Sequence, residues 1–269
     1  MPVVQAPDGI LHYDTVDIVA PWQAKGLPIL FHHGIGSSAM LWRGWFPALI
    51  DRYPVVAFDM RGCGRSSSPT ADFKWSLERM IDDLFAVADA AGLGRFHLVG
   101  ESLGGTVALA AAIARPERVA TLAVSNGAHL GSSIQRVEVW RRQLDEGGTA
   151  GWSHAFMSDR FQPGTLDAER EAWFEAQQAE WTRESILNAL GVLIGTDLTP
   201  HLKDIGCPVL LLHPDGSPFI PVAVMAELHR LLPDARLNVI GPARHGLPFS
   251  HAAQCARLLR SFLDSRTVG

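Results

Sequence analysis

Apolar positions along this chain fall into short unbroken runs separated by stretches of helical spacing, and that alternation sets the expected architecture. The runs are Leu27-Pro28-Ile29-Leu30-Phe31-His32, Pro54-Val55-Val56-Ala57-Phe58-Asp59, Phe96-His97-Leu98-Val99, Val119 to Val124, Pro208 to Leu212, and Arg236 to Ile240. Mostly apolar runs of this length, bounded by turn residues, predict strands buried on both faces, as in a parallel sheet. Between them Leu77, Met80, Ile81, Leu84, Phe85 and Val87 recur at helical spacing. Thr106 to Ala114 reads as a second helix and Ala252 to Leu263 as a closing amphipathic one. Strands alternating with helices predict the α/β class, with a mostly parallel, twisted sheet flanked by helices.

The alternation breaks between about residues 129 and 201. That stretch is rich in Arg, Glu and Gln, carries Trp140, Trp152, Trp173 and Trp181, and contains no run that reads as a strand. Strand–helix alternation resumes at Cys207-Pro208. The expected organisation is therefore a core formed by residues 1–128 and 202–269, interrupted by a helical lid, or cap, over 129–201. Ligand sites favour domain junctions and strand carboxyl ends, which is why a lid over a site is expected rather than an extra packing layer.

Composition narrows the class. The chain has 269 residues, 47% hydrophobic and 19% charged, enough for one sizeable core with a modest insertion. A net charge of -5 leaves no basic footprint for nucleic acid. The amino terminus shows no basic stretch followed by an apolar one, and no apolar run is long enough to span a bilayer. Three widely spaced cysteines, Cys63, Cys207 and Cys255, fit buried thiols in a reduced cytoplasmic protein better than a disulfide framework. The expected partner is a small molecule, with no nucleic acid and no membrane; a homodimer is the assembly considered.

The strongest chemical signal is Gly100-Glu101-Ser102-Leu103-Gly104, placed directly between an apolar run and a helix. Gly-x-Ser-x-Gly in that context is a nucleophile elbow. A serine on so sharp a turn holds a strained backbone, and glycine at the flanks removes collisions with the neighbouring strand and helix. The hydroxyl then stands near a helix N-terminus, where free N–H groups favour developing negative charge. Glu101, beside that charge, is expected to point away from it.

Serine needs a base within hydrogen-bond reach. Among eleven histidines, His245 lies in Gly241-Pro242-Ala243-Arg244-His245-Gly246, the loop between the last strand and the last helix. In a doubly wound sheet that loop opens at the same carboxyl edge as the elbow. His251 reads as a surface or capping residue. Two backbone donors for an oxyanion are expected at Leu103, after the serine, and at Ile35 in His33-Gly34-Ile35-Gly36. His32 and His33 lack the spacing of a metal site, and neither metal nor cofactor is expected.

The third member of a triad is harder to place. An acid is expected after the Pro208–Leu212 strand, immediately before Pro218-Phe219-Ile220-Pro221, yet that slot holds Ser217. Asp215, two residues earlier, is the candidate acid, and it equally suits a Pro-Asp-Gly turn. Asn126, after the preceding core strand, is the alternative orienter through its side-chain oxygen. Arg136, Arg141 and Arg142 in the lid either meet an anionic substrate or form a solvated face. Asp59-Met60-Arg61-Gly62-Cys63-Gly64-Arg65-Ser66 reads as a glycine turn tied by arginine.

Elbow, oxyanion loop, lid position and terminal histidine together resemble the α/β-hydrolase superfamily across the whole chain. Within it, Ser125-Asn126-Gly127-Ala128-His129-Leu130-Gly131, Ile134 through Arg142 and Met157-Ser158-Asp159-Arg160-Phe161 resemble the 3-oxoadipate enol-lactonases. The resemblance implies Ser102 as nucleophile, His245 as base, Ile35 and Leu103 as oxyanion donors, and Ser217 as a departure from the family's acid. The implied activity is serine-dependent hydrolysis of a small ester or enol lactone through an acyl-enzyme, in aromatic-compound breakdown. Amide or carbon–carbon hydrolysis, cofactor-independent oxygen chemistry, and a non-catalytic receptor role on the same fold are the alternatives.

Overall fold

A computed structural model describes residues 2–70 and 72–266. The chain opens with a feature absent from the apolar pattern: β1 (Val3–Ala6) and β2 (Gly9–Val16) form an antiparallel hairpin. Only one face of this edge ribbon is buried, so its residues alternate instead of forming an apolar run. Then follow β3 (Ile29–His32), β4 (Val55–Phe58), α1 (Leu77–Ala90), β5 (Phe96–Glu101), α2 (Leu103–Ala114) and β6 (Val119–Ser125). Three helices come next, α3 (Val137–Arg160), α4 (Ala168–Ala179) and α5 (Arg183–Ile194), with no named strand between β6 and β7 (Val209–Pro214). The chain closes with α6 (Val222–Leu231), β8 (Ala235–Ile240), the short α7 (Leu247–Ser250) and α8 (Ala252–Asp264).

Among the described residues eight strands run in the order β1-β2-β4-β3-β5-β6-β7-β8, parallel from β4 to β8 and antiparallel within the hairpin and where it joins β4. Strands β3, β4 and β5 are buried at every position. Alternate residues feed two separate cores, as a period of two requires. Leu30, Val56, Leu98 and Leu122 face one, with α1 and α2 packed on it. Ile29, Phe31, Val55, Ala57, Val99 and Ala123 face the other, closed by α8 and an indole cluster at Trp42 and Trp45. Fully burying an aliphatic side chain contributes roughly 1.5–3 kcal/mol, which is why these short runs hold the sheet.

This strand order contains one reversal. From β3 the chain steps outward to β4, then returns to the other side of β3 at β5 and continues to β8. The carboxyl ends of β3 and β5 therefore border a crevice that no crossover covers, the place where open α/β sheets bind ligands.

Local signals set the helix boundaries in the insertion. Asp167 and Thr182 accept hydrogen bonds from the backbone N–H of Arg170 and Ser185, capping α4 and α5. Helix α3 is broken at Gly148, whose φ of 61° no β-branched or bulky residue adopts readily. No helix among the described residues is long and apolar enough to cross a membrane.

Candidate active site

Ser102 sits at the end of β5 and N-caps α2 with φ 54° and ψ −121°, a conformation that costs a non-glycine residue on the order of 1–3 kcal/mol. The surrounding turn leaves no room for relief. A Cβ on Gly104 would lie 2.3 Å from the carbonyl oxygen of His32. Glycine there is what lets α2 start hard against β3. The strain is held by backbone bonds from Ser102 N–H to the Ser125 carbonyl (2.9 Å) and from Thr106 N–H to the Ser102 carbonyl (3.1 Å).

His245 reaches this serine from the loop after β8. Its Nε2 lies 3.1 Å from Ser102 Oγ, and the ring is 3% exposed. The loop is clamped from several sides. Asn126 Nδ2 donates to the His245 carbonyl at 2.6 Å, and His245 and Gly246 N–H donate to the Asp159 and Arg160 carbonyls of α3. Burial lowers the His245 pKa well below 6.5, and the Arg160 guanidinium and the His213 ring lower it further. The imidazole is therefore neutral at pH 7, the state a proton acceptor needs.

The loop after β3, where one oxyanion donor is expected, is shaped by two histidines. His33 Nδ1 donates to the Gly34 carbonyl (2.9 Å), while its Nε2 accepts from Met60 N–H (3.0 Å). His32 Nδ1 donates to the His33 carbonyl (2.8 Å). Burial holds both rings neutral, that of His32 with a pKa of about 3. These bonds tie down the carbonyls of His33 and Gly34, just before Ile35, the residue expected to donate to an oxyanion. Gly34 is so close that a Cβ there would lie 2.7 Å from Ser102 Cβ. Leu103 N–H, at the first position of α2, has no carbonyl partner within the helix.

On the Nδ1 side of His245 the structure brings up Ser217, not Asp215. Ser217 Oγ is 3.4 Å from Nδ1 and also accepts long bonds from Phe219 and Ile220 N–H, so it keeps the turn of the acid slot without the charge. Asp215 is exposed. Its carboxylate accepts from Ala243 N–H at 2.9 Å and its own N–H bonds to the Ile240 carbonyl, which ties the β7 and β8 loops together. The Pro-Asp-Gly turn won over the triad because the β7 exit points its first carboxylate outward. Asn126 is buried with φ 55°, but it holds the His245 backbone and not the ring. Its partner is a carbonyl, so the bonding atom must be the amide nitrogen.

Two further side chains complete the site. Glu101 does not point away from it: the residue is 1% exposed, and its Oε2 accepts from Gly34 N–H at 2.8 Å. Its Oε1 lies 3.9 Å from His245 Nε2 and 4.0 Å from Arg160 Nη1. Burial raises its pKa to about 7, against the opposing pull of Arg160 and Gly34 N–H. Arg160 comes from the last turn of α3, donates to Gln178 Oε1 (2.5 Å) and the Ile35 carbonyl, and lies between the Phe156 and Phe174 rings. Burial lowers its pKa to about 10, still charged at neutral pH. Trp152, Phe156 and Arg160 follow at four-residue spacing, so the sequence already put an arginine on the apolar face of its helix. Arg136, the residue before α3, instead pairs with Asp159, and Arg141 pairs with Glu138 one turn back.

A row of aromatic rings packs against the histidine. Phe219 lies edge-on to His245 (5.0 Å between centroids) and stacks on Phe156, which stacks on Trp152. Trp181 Nε1 donates to the Ser37 carbonyl at 3.0 Å, a second tie between the insertion and the oxyanion loop. The glycine turn after β4 is tied as its residues suggested, with Arg65 Nε on Asp59 at 2.7 Å and Arg61 paired to Asp83 at 2.6 Å.

Comparison with known proteins agrees with this architecture. Residues 28–156 match the model of the alpha/beta hydrolase fold family. A relative from Caulobacter segnis, provisionally named carbamate hydrolase RutD, is 30% identical over 251 residues, covering 90% of this chain and 94% of its own. A relative of the same name from Azorhizobium caulinodans is 29% identical over 252 residues, covering 91% of each. The chain belongs to the α/β-hydrolase superfamily. It is a hydrolase of that fold. Among solved structures, the enol-lactonase from Burkholderia xenovorans LB400 superposes with a TM-score of 0.87 at 21% identity, covering 98% of this chain and all (100%) of the other. A bromoperoxidase from Bacillus anthracis gives 0.87 at 19%, covering 98% and 99%. At such identities these two share the fold, which fits several chemistries.

Proposed function

We propose that this hydrolase cleaves a small ester or enol lactone with Ser102 as nucleophile and His245 as its base, beneath a lid formed by α3–α5. The observation that carries the reading is the 3.1 Å contact between His245 Nε2 and Ser102 Oγ on a strained elbow. Ser102 Oγ attacks the carbonyl carbon as its proton passes to Nε2. The carbonyl electron pair moves onto oxygen, received by the N–H groups of Ile35 and Leu103. Collapse expels the alcohol oxygen, which takes the proton from Nε2. Water then repeats the sequence on the acyl-enzyme.

The name carried by the relatives adds carbamates to the carbonyl compounds to assay, since a carbamate presents the same electrophilic carbon. The burial of Ser102 and His245 supports a small substrate, and the absent acid at Nδ1 supports an activated one. Replacing Ser102 by Ala is expected to abolish nitrophenyl acetate turnover and covalent labelling by a serine-directed phosphonate. Retained turnover, or labelling at another residue, refutes the reading.

A further inference from the structure

We propose that Glu101, the variable residue of the elbow, supplies the carboxylate that the β7 loop lacks, stabilising the His245 imidazolium from the Ser102 side as a positioning residue. This rests on Ser102 and His245 being nucleophile and base.

The geometry is specific. One oxygen of Glu101 is fixed by Gly34 N–H at 2.8 Å, which leaves the other to face His245 Nε2 at 3.9 Å and Arg160 Nη1 at 4.0 Å. Among the described residues no other carboxylate lies within 4.0 Å of a His245 ring nitrogen. On the opposite side Nδ1 faces the Ser217 hydroxyl at 3.4 Å, while Asp215 is turned outward to Ala243 N–H.

Charge counting supports the role. With Glu101 ionised, the buried group of Arg160, Glu101 and neutral His245 sums to zero. When Ser102 attacks, the oxyanion and the imidazolium cancel, and the sum is again zero. With no carboxylate the Arg160 charge would stand uncompensated in this buried group before and after the step, and it would oppose protonation of the ring. Burying unpaired charge is strongly unfavourable. A unit charge 3.9 Å away at an effective dielectric near 20 shifts a protonation equilibrium by roughly 10²–10³-fold.

The groups facing this pair are Arg160 from α3, the N-terminus of α2, Gly34 N–H from the oxyanion loop, and His213 and Ser217 from the β7 side. Because Glu101 titrates at about 7, its charge switches within the assay range.

The test uses the full chain with nitrophenyl acetate and a phosphonate label. Glu101→Gln keeps the shape and the oxygen that accepts from Gly34 N–H while removing the charge. Expected are a fall in kcat of roughly 10²-fold or more, a KM changed by less than about threefold, and loss of the limb in kcat near pH 7. Adding Ser217→Asp to this variant is expected to restore at least about tenfold, by placing a carboxylate on Nδ1. A variant with kcat and pH profile like the wild type overturns the proposal, as does a loss that Ser217→Asp cannot restore, since Glu101 would then only hold the loop. Should Glu101→Gln not fold, Ser217→Asp alone decides. A rise in kcat of less than about tenfold means the histidine already has its carboxylate, and a rise of about tenfold or more means it had none and overturns the proposal. Failure of the Ser–His reading itself shows separately, as turnover or labelling that survives Ser102→Ala.

Discussion

Asp215→Asn separates two descriptions of this centre by several orders of magnitude. As the orienting acid, Asp215 would fix the His245 tautomer and stabilise the imidazolium, and its amide would lower kcat by about 10⁴-fold. The structure gives it another task. Its Oδ1 accepts from Ala243 N–H at 2.9 Å, the side chain is exposed, and the hydroxyl of Ser217 occupies the place facing Nδ1. The asparagine oxygen can accept the same Ala243 N–H, so only the charge assistance of one exposed bond is lost, less than about 1 kcal/mol. Worked into a rate, that is less than about fivefold even if all of it reached the transition state. Asp215→Ala removes the bond outright and loosens the loop carrying His245, which costs about 1 kcal/mol of stability. Steady-state hydrolysis of nitrophenyl acetate, with urea unfolding of each variant, measures both. A kcat reduced 10³-fold or more in a folded Asp215→Asn protein would refute this placement of the acid.

Other outcomes follow from the same geometry. Gly34→Ala forces a Cβ to 2.6 Å from Glu101 Oε2 and 2.9 Å from the Glu101 carbonyl oxygen. Stability should fall by about 1–3 kcal/mol in urea, and the displaced Ile35 N–H should lower kcat by about 10²-fold; an unchanged kcat would argue against an oxyanion donor there. Gly206→Ala, with open space around its Cβ, serves as the control and should stay within about 0.5 kcal/mol of wild type. Acid should destabilise the fold through its buried histidines. Burial holds His97 and His213 at pKa values of about 4 and His32 at about 3, so the unfolded chain takes up protons below about 6.5 that the folded one does not. Their contribution is complete above pH 6.5 and lost as pH falls towards 4, on the order of 3 kcal/mol for each as an upper bound. Glu101, with its pKa raised to about 7, acts with the opposite sign and favours the fold less as pH rises from 4.5 to 7. Urea midpoints at pH 4.5, 5.5, 6.5 and 7.5, in wild type and Glu101→Gln, separate the two; a midpoint that rises on acidification would contradict the histidine account.

The parallel strands, the elbow and the connection that carries the histidine are legible in the residue pattern alone. Runs such as Ile29–His32 and Phe96–Glu101 are buried on both faces, so their pattern is local and unbroken. Glycine is demanded at Gly104 by backbone contact, whatever surrounds the turn. The β1–β2 hairpin escaped that reading because a ribbon with one solvated face leaves no continuous apolar run. Where polar side chains point once several loops meet at one sheet edge is set by long-range contacts instead. Asp215 and Ser217 are two residues apart, and the exit direction of β7 turns one to solvent and the other to His245. A charge beside the serine is the one the sequence turns away, yet Gly34 N–H holds one Glu101 oxygen and Arg160, arriving from α3, lies 4.0 Å from the other. Such arrangements depend on chain segments 59 residues apart for Glu101 and Arg160, and 144 for Glu101 and His245, from the positions 101, 160 and 245. No spacing rule reaches across them, because long-range electrostatics acts through space and not along the chain.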